Sequence, residues 1–159
     1  MTAIELPELV LPWPSRDLHP NARVHWRRKA KAVKAARAEA HLLALAAGWR
    51  PGTVPDGRLH VWVDFVPPDR RRRDDDGIAA SFKHARDGIA DALGIDDNRF
   101  RMHPFLRDDE TTPGGCVRVR ITGGPEHCMD EMVRKGTEAW ADTPDGWVDE
   151  LRGGSDDAQ

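Results

Sequence analysis

The chain has 159 residues, enough for one domain of ordinary size with an appendage. It is 39% hydrophobic, with no stretch near the roughly eighteen apolar residues of a membrane span, and its start lacks the basic-then-apolar pattern of a signal peptide. The formal net charge of −3 hides an uneven distribution: residues 1–73 carry 14 Lys+Arg against 7 Asp+Glu, residues 74–159 carry 10 against 20, and residues 124–159 alone carry 3 against 10. A basic body with an acidic end points to a polyanionic partner.

Residues 8–13, ELVLPW, form a short apolar run ending among prolines and are expected to be a first strand. In the segment that follows, Trp26, Ala30, Val33, Ala36, Ala40, Leu43 and Ala47 recur at three and four, which predicts one buried helix face, with Gly48 as its stop. Arg27, Lys31, Lys34 and Arg37 fall on the opposite face, as a solvated surface or as a phosphate-facing one. After a loop, RLHVWVDFV alternates, with Leu59, Val61, Val63 and Phe65 on one side and His60, Trp62 and Asp64 on the other, the pattern of a half-buried strand.

Pro67 and Pro68 end that strand and lead into the run RRRRDDDG. The next stretch, GIAASFKHARDGIADALG, is expected to be one helix that buries Ile78, Phe82, Ala85, Ile89, Ala92 and Leu93. IDDNR is a turn, Phe100 to Leu106 a strand, and CVRVRIT a last strand with Val117, Val119 and Ile121 inward. The order predicts an α+β fold, a small mixed β-sheet with helices packed on it, over residues 1–123. Residues 124–159 form an acidic C-terminal extension, expected to be partly helical with a disordered end. Cys116 and Cys128 match no metal-ligand spacing and are expected as free thiols in a reducing cytoplasm.

The charged run carries the chemistry. In an extended segment Asp74 and Asp76 would point to the same side, and two such carboxylates suit a cation with hard-ligand preference, Mg²⁺ or Mn²⁺. Asp96 and Asp97, on the turn after the second helix, are the candidate third carboxylate, if that turn returns to the same end of the sheet. Asp76 as a plain helix cap, with the other carboxylates solvated, fits the spacing equally well. Arg70, Arg71, Arg72 and Arg73 beside such a site would suit a phosphodiester substrate, their guanidinium groups holding flanking phosphates. Lys83, two helical turns past Asp76, would stabilise developing negative charge, or pair with Asp87 on the helix surface.

The pieces LPWP at 11–14, PNARVHW at 20–26, PDRRRRDDD at 68–76, Lys83 within FKHARDGIADALG, and DD at 96–97 resemble, in order, the RusA family of Holliday junction resolvases, endodeoxyribonucleases common in phages and prophages. The resemblance covers residues 11 to 122. It implies a RusA-like fold in the bacterial cytoplasm and a homodimer acting on four-way or branched DNA, without a membrane partner. It also implies an Mg²⁺- or Mn²⁺-dependent site in each subunit, with Asp74, Asp76 and Asp97 as the essential acidic residues and metal ligands and Lys83 as the essential lysine. Arg70 to Arg73, Arg27, Lys31 and Lys34 would contact DNA. The chain departs from the family pattern at Asp75, usually apolar or proline, and at Gly77, commonly asparagine. A junction-binding protein with weak or no cleavage is the alternative, and an α+β interaction module with merely superficial charges is a third.

Overall fold

A computed structural model describes residues 6–123; the expected helix and disordered end of the extension, and Cys128, lie outside the described residues. The fold is a mixed α+β fold: β1 (Leu9–Pro12), α1 (Trp26–Ala46), β2 (Leu59–Val66), α2 (Asp75–Ser81), α3 (Lys83–Leu93), β3 (Phe100–Leu106) and β4 (Cys116–Gly123). Short 3₁₀ turns at Arg16–Leu18 and Asp97–Arg99 complete it. The four strands lie in the order β1-β4-β2-β3. β4 runs antiparallel to both β1 and β2, whereas β2 and β3 are parallel, Leu59 facing Phe100 and Phe65 facing Leu106.

Alternation decides which face of the sheet is covered. Leu59, Val61, Val63 and Phe65 are at most 1% exposed, and Leu9, Leu11, Val117, Val119 and Ile121 join them. Against this face pack Ala40 and Ala44 of α1, Phe82 at the α2–α3 junction, and Ile89, Ala92 and Leu93 of α3. On the other face His103 stacks between His60, at 5.1 Å, and Trp62, at 4.2 Å. Trp49, just past α1 in a stretch expected to be loop alone, is fully buried and donates its Nε1–H to the Pro7 carbonyl at 2.9 Å.

Two expectations about the helices are corrected. Trp26 and Ala30 do not face the core: both are exposed, Trp26 at 68%, and the Arg27 guanidinium lies over its ring at 5.2 Å. The single helix predicted after the charged run is two, broken at Phe82. Ser81 donates its hydroxyl to the Gly77 carbonyl at 2.8 Å, a back-bond that competes with the backbone ladder and bends helices.

α1 crosses α3 at Gly88, where a Cβ would overlap the Arg37 carbonyl, so the helices meet backbone to backbone. Beside this crossing Arg37 donates twice to Asp91, Nε to Oδ2 at 2.6 Å and Nη2 to Oδ1 at 2.9 Å. The Arg37 hydrogen bond holds the Asp91 carboxyl below its ordinary range. A carboxyl depressed in the folded state stabilises the fold above its unfolded value of about 3.9, and that stability is lost as pH falls through the lower folded value. Asp91→Asn is therefore expected to melt lower than the native chain at pH 7, with the gap closing below about pH 3.9. Thermal unfolding followed from pH 7 to pH 2.5 checks this, and a gap that persists at the acid end would refute it.

Candidate active site

The parallel pairing of β2 with β3 places the ends of both strands together. In open sheets of this kind the crevice outside the carboxyl ends of parallel strands is where ligands bind. Here that crevice is a cleft lined by Asp69, Arg70 to Arg73 and Asp74 to Asp76 from the segment after β2, and by Arg107, Asp108 and Thr111 from the segment after β3. The backbone holds the two segments together: Arg107 N–H donates to the Phe65 carbonyl at 2.9 Å and Thr112 N–H to Pro67 at 3.1 Å. Asp108 is not among the residues that spacing singles out. The signal that finds it is topological, since only the parallel register reveals which loops share an end of the sheet.

Within the run the arginines differ in what they hold. Arg70, Arg71 and Arg72 are exposed. Arg73 is turned inward: its Nη2 donates to Asp69 Oδ1 at 2.8 Å, its Nη1 to the carbonyls of Asp69 and Arg71 at 2.9 Å each, and its guanidinium lies 5.5 Å over the Trp13 ring. The Arg71 N–H and the Arg73 guanidinium hold Asp69 below the ordinary carboxylate range. Arg73 thus shapes the loop from which its three neighbours project. On α1, Arg27, Lys31 and Lys34 are exposed as expected, while Arg37 is committed to Asp91.

The aspartates are arranged differently from the extended spacing that first suggested them. Asp74 is the residue preceding α2, with φ −84° and ψ 113°, and it makes no side-chain cap bond; Asp75 and Asp76 already belong to the first helical turn. The backbone is not extended from Asp74 through Asp76, so the strand spacing that suggested the pair does not describe it. Both remain exposed and line the same cleft.

Asp97 lies at the other end of the sheet. It precedes β3, whose first residue faces the first residue of β2, and its neighbour Arg99 donates to the carbonyls of Gly57 and Pro55 ahead of β2. The Arg86 Nη2 holds Asp97 Oδ2 at 2.7 Å, while Asp96 accepts from the Asn98 N–H at 2.8 Å as the cap of its 3₁₀ turn. The turn does not return to the Asp74 end, because a helix joining two parallel strands must traverse the sheet from one end to the other. Lys83 is exposed at the start of α3 and lines a separate hollow with Ala79, Ala80, Arg86, Met102 and Pro104. Asp87 is approached by His84 and Arg86, at 3.9 Å each. Asp74, Asp76 and Asp97 thus do not come together as a metal-binding trio, and among the described residues no three His, Cys, Asp or Glu side chains are placed to hold an ion. Among the same residues no helix is long and apolar enough to cross a membrane.

Fold and cleft together define a small mixed α+β domain with a highly charged crevice at the carboxyl ends of its parallel strands. The chain is 54% identical over 120 residues to an uncharacterized protein of Xylella fastidiosa, an alignment spanning 75% of this chain and 78% of that protein. It belongs to the same family as that protein. No protein-family model matches the chain.

The Arg86–Asp97 pair is partly buried, at 27% and 35% side-chain exposure. Asp97→Asn is expected to lower the stability by about 1 kcal/mol in urea unfolding, and Arg86→Ala by a similar amount, with the double variant no worse than either single one. Additive losses would show that the two side chains do not act as a pair.

Proposed function

We propose that this protein is a RusA-type Holliday junction resolvase, a structure-selective endodeoxyribonuclease that hydrolyses phosphodiesters in four-way DNA with Mg²⁺ or Mn²⁺ as cofactor. The observation that carries the reading is the cleft in which exposed Arg70, Arg71 and Arg72 border exposed Asp74, Asp75 and Asp76. The order of motifs from LPWP to the paired aspartates of the 3₁₀ turn supports the family likeness. A homodimer, with one site for each of two symmetric nicks, belongs to the same reading.

In this proposal each part of the chain has its own task. Arg70 to Arg72 bind backbone phosphates on either side of the scissile bond and offset the repulsion between DNA and carboxylates. Arg73 holds the loop that presents them. Arg27, Lys31 and Lys34 extend the cationic surface along α1, and the indole of Trp26 beside Arg27 offers a stacking face to an unpaired base. Asp74 and Asp76 are the acidic residues, oxygen donors of the kind that Mg²⁺ and Mn²⁺ accept. Lys83 and Asp97 enter through the family likeness alone. The absence of a three-carboxylate group among the described residues favours a second reading, a protein that binds junctions and cleaves them weakly or not at all.

Purified protein incubated with a labelled four-way junction, or with a linear duplex of matching sequence, separates the two. Paired nicks near the crossover with Mg²⁺ and none with chelator support the nuclease; a shifted band without nicks under both conditions supports the binder. Asp76→Asn is expected to abolish cleavage while junction affinity is kept or raised, because a repulsive charge near phosphate is removed, and normal cleavage by this variant would remove Asp76 from the site. Replacing Arg71 and Arg72 together by alanine should flatten the salt dependence of junction binding by roughly one unit of slope for each phosphate no longer neutralised. An unchanged slope would take both arginines off the DNA surface.

A further inference from the structure

A hollow of about 610 Å³ lies between α1, the segment after β1 and the α2–α3 junction, a volume in the range of pockets that take small ligands. Within α1 only Ala40 and Ala44 are buried. Ala32, Ala35 and Ala36 line the hollow, and their short side chains leave it open. Leu11, Trp13, Pro14, Leu18 and Phe82 supply much of the remaining apolar wall.

Direct contacts hold these walls. Arg28 donates its Nε–H to Asp17 Oδ2 at 2.7 Å and so ties α1 to the segment after β1. The Trp13 ring meets Phe65 edge-on, with 6.4 Å between centroids, and carries the Arg73 guanidinium at 5.5 Å. Gly115 comes so near that a Cβ there would stand 3.0 Å from the same ring.

Charge separates this hollow from its neighbour. Its charged lining balances, Arg28 and Lys31 against Asp17 and Glu39. Trp13, Pro14, Ser15 and Ser81 line a second hollow as well, and there Arg16, Arg71, Arg72 and Arg73 are set against only Asp69 and Asp74. A ligand that occupies both must join an anionic group to an uncharged, largely apolar one with polar edges. A nucleotide has that make-up: its phosphate suits guanidinium groups, and its base has an apolar face.

We propose that the first hollow receives one unpaired nucleobase of the DNA, while the phosphate beside it meets Arg71 and Arg72 across the Trp13 wall. This rests on the nucleic-acid reading of the charged cleft and adds to it a site for a base. The apolar walls take the ring of the base, and Lys31 and Glu39 offer a donor and an acceptor to its edge. Drawing a base out of the stack costs least where the stack is already interrupted, so the hollow favours a branched DNA over a linear duplex.

The test is the affinity of the full chain for four-way junctions in which one nucleotide flanking the crossover is made abasic, measured in chelator so that no strand is cut. At one position the missing base should weaken binding by the native chain about tenfold. Ala36→Leu and Ala35→Leu fill the hollow without loss of a good helix former. Each should weaken binding to the intact junction about tenfold, keep the salt slope, and be indifferent to the missing base. Thermal melting identifies a variant that does not fold, and the other then carries the comparison. Native binding that is unmoved at every abasic position overturns the proposal, as does a folded filled variant that still senses the missing base. A filled variant that loses self-association, with abasic and intact junctions bound alike, makes the hollow a groove for a second copy and overturns it too. A native chain that binds no junction sinks the nucleic-acid reading itself, and the base site with it.

Discussion

The parallel register of β2 on β3 governs where the charged segments that leave β2 and lead into and out of β3 end up. Two parallel neighbours cannot be joined by a tight turn, so the chain leaves the end of β2, crosses the sheet through α2 and α3, and re-enters at the start of β3. The crossing buries Phe82, Ile89, Ala92 and Leu93 on the apolar face. It also sorts the acidic residues. Whatever precedes α2 shares an end of the sheet with whatever follows β3, which brings Asp108 toward Asp74 and sends Asp97 to the opposite side.

Most of the fold was legible because its strands alternate strictly. Leu59, Val61, Val63 and Phe65 could be assigned to the covered face from period two alone, and the inward set of α3 from spacings of three and four. What escaped depends on neighbours that periodicity does not encode. Trp26 continues the apolar stripe of α1 but is left exposed at its first turn. The break at Phe82 lies beside a Ser81 hydroxyl that bonds backward to the Gly77 carbonyl, a contact no periodicity shows. Trp49 looked like loop and proved a core residue whose indole N–H ties the chain start to the end of α1.

The candidate site was legible in composition and illegible in geometry. The sequence identifies the arginine and aspartate run as unusual, and the structure brings Arg70 to Arg72 and Asp74 to Asp76 to one cleft. The expectation that Asp74 and Asp76 point the same way assumed an extended backbone, whereas α2 begins at Asp75 and Asp76 lies in its first turn. The expectation for Asp97 required knowing whether the sheet pairs parallel or antiparallel at that point, and that is a long-range fact.

Counting cations overstates the surface available to a polyanion, because several arginines are already engaged. Arg37 grips Asp91 across the α1–α3 crossing, Arg86 grips Asp97, Arg118 pairs with Glu110, and Arg73 is wrapped by its own loop. These ion pairs brace the scaffold. Arg70 and Arg72 have no such partner among the described residues, and Arg71 meets only Asp69, at 3.7 Å. The carboxylates divide in the same way: Asp69, Asp91 and Asp97 are paired, while Asp74, Asp75 and Asp76 stand adjacent without an ion-pair partner among the described residues. The partial positive charge of a helix start relieves some of their mutual repulsion. It does not explain why three exposed guanidinium groups only a few residues away leave them unneutralised. The Arg73–Asp69 bracket engages one guanidinium of the run and one nearby carboxylate with each other, and Arg70, Arg72 and Asp74 to Asp76 keep their charges without a partner among the described residues.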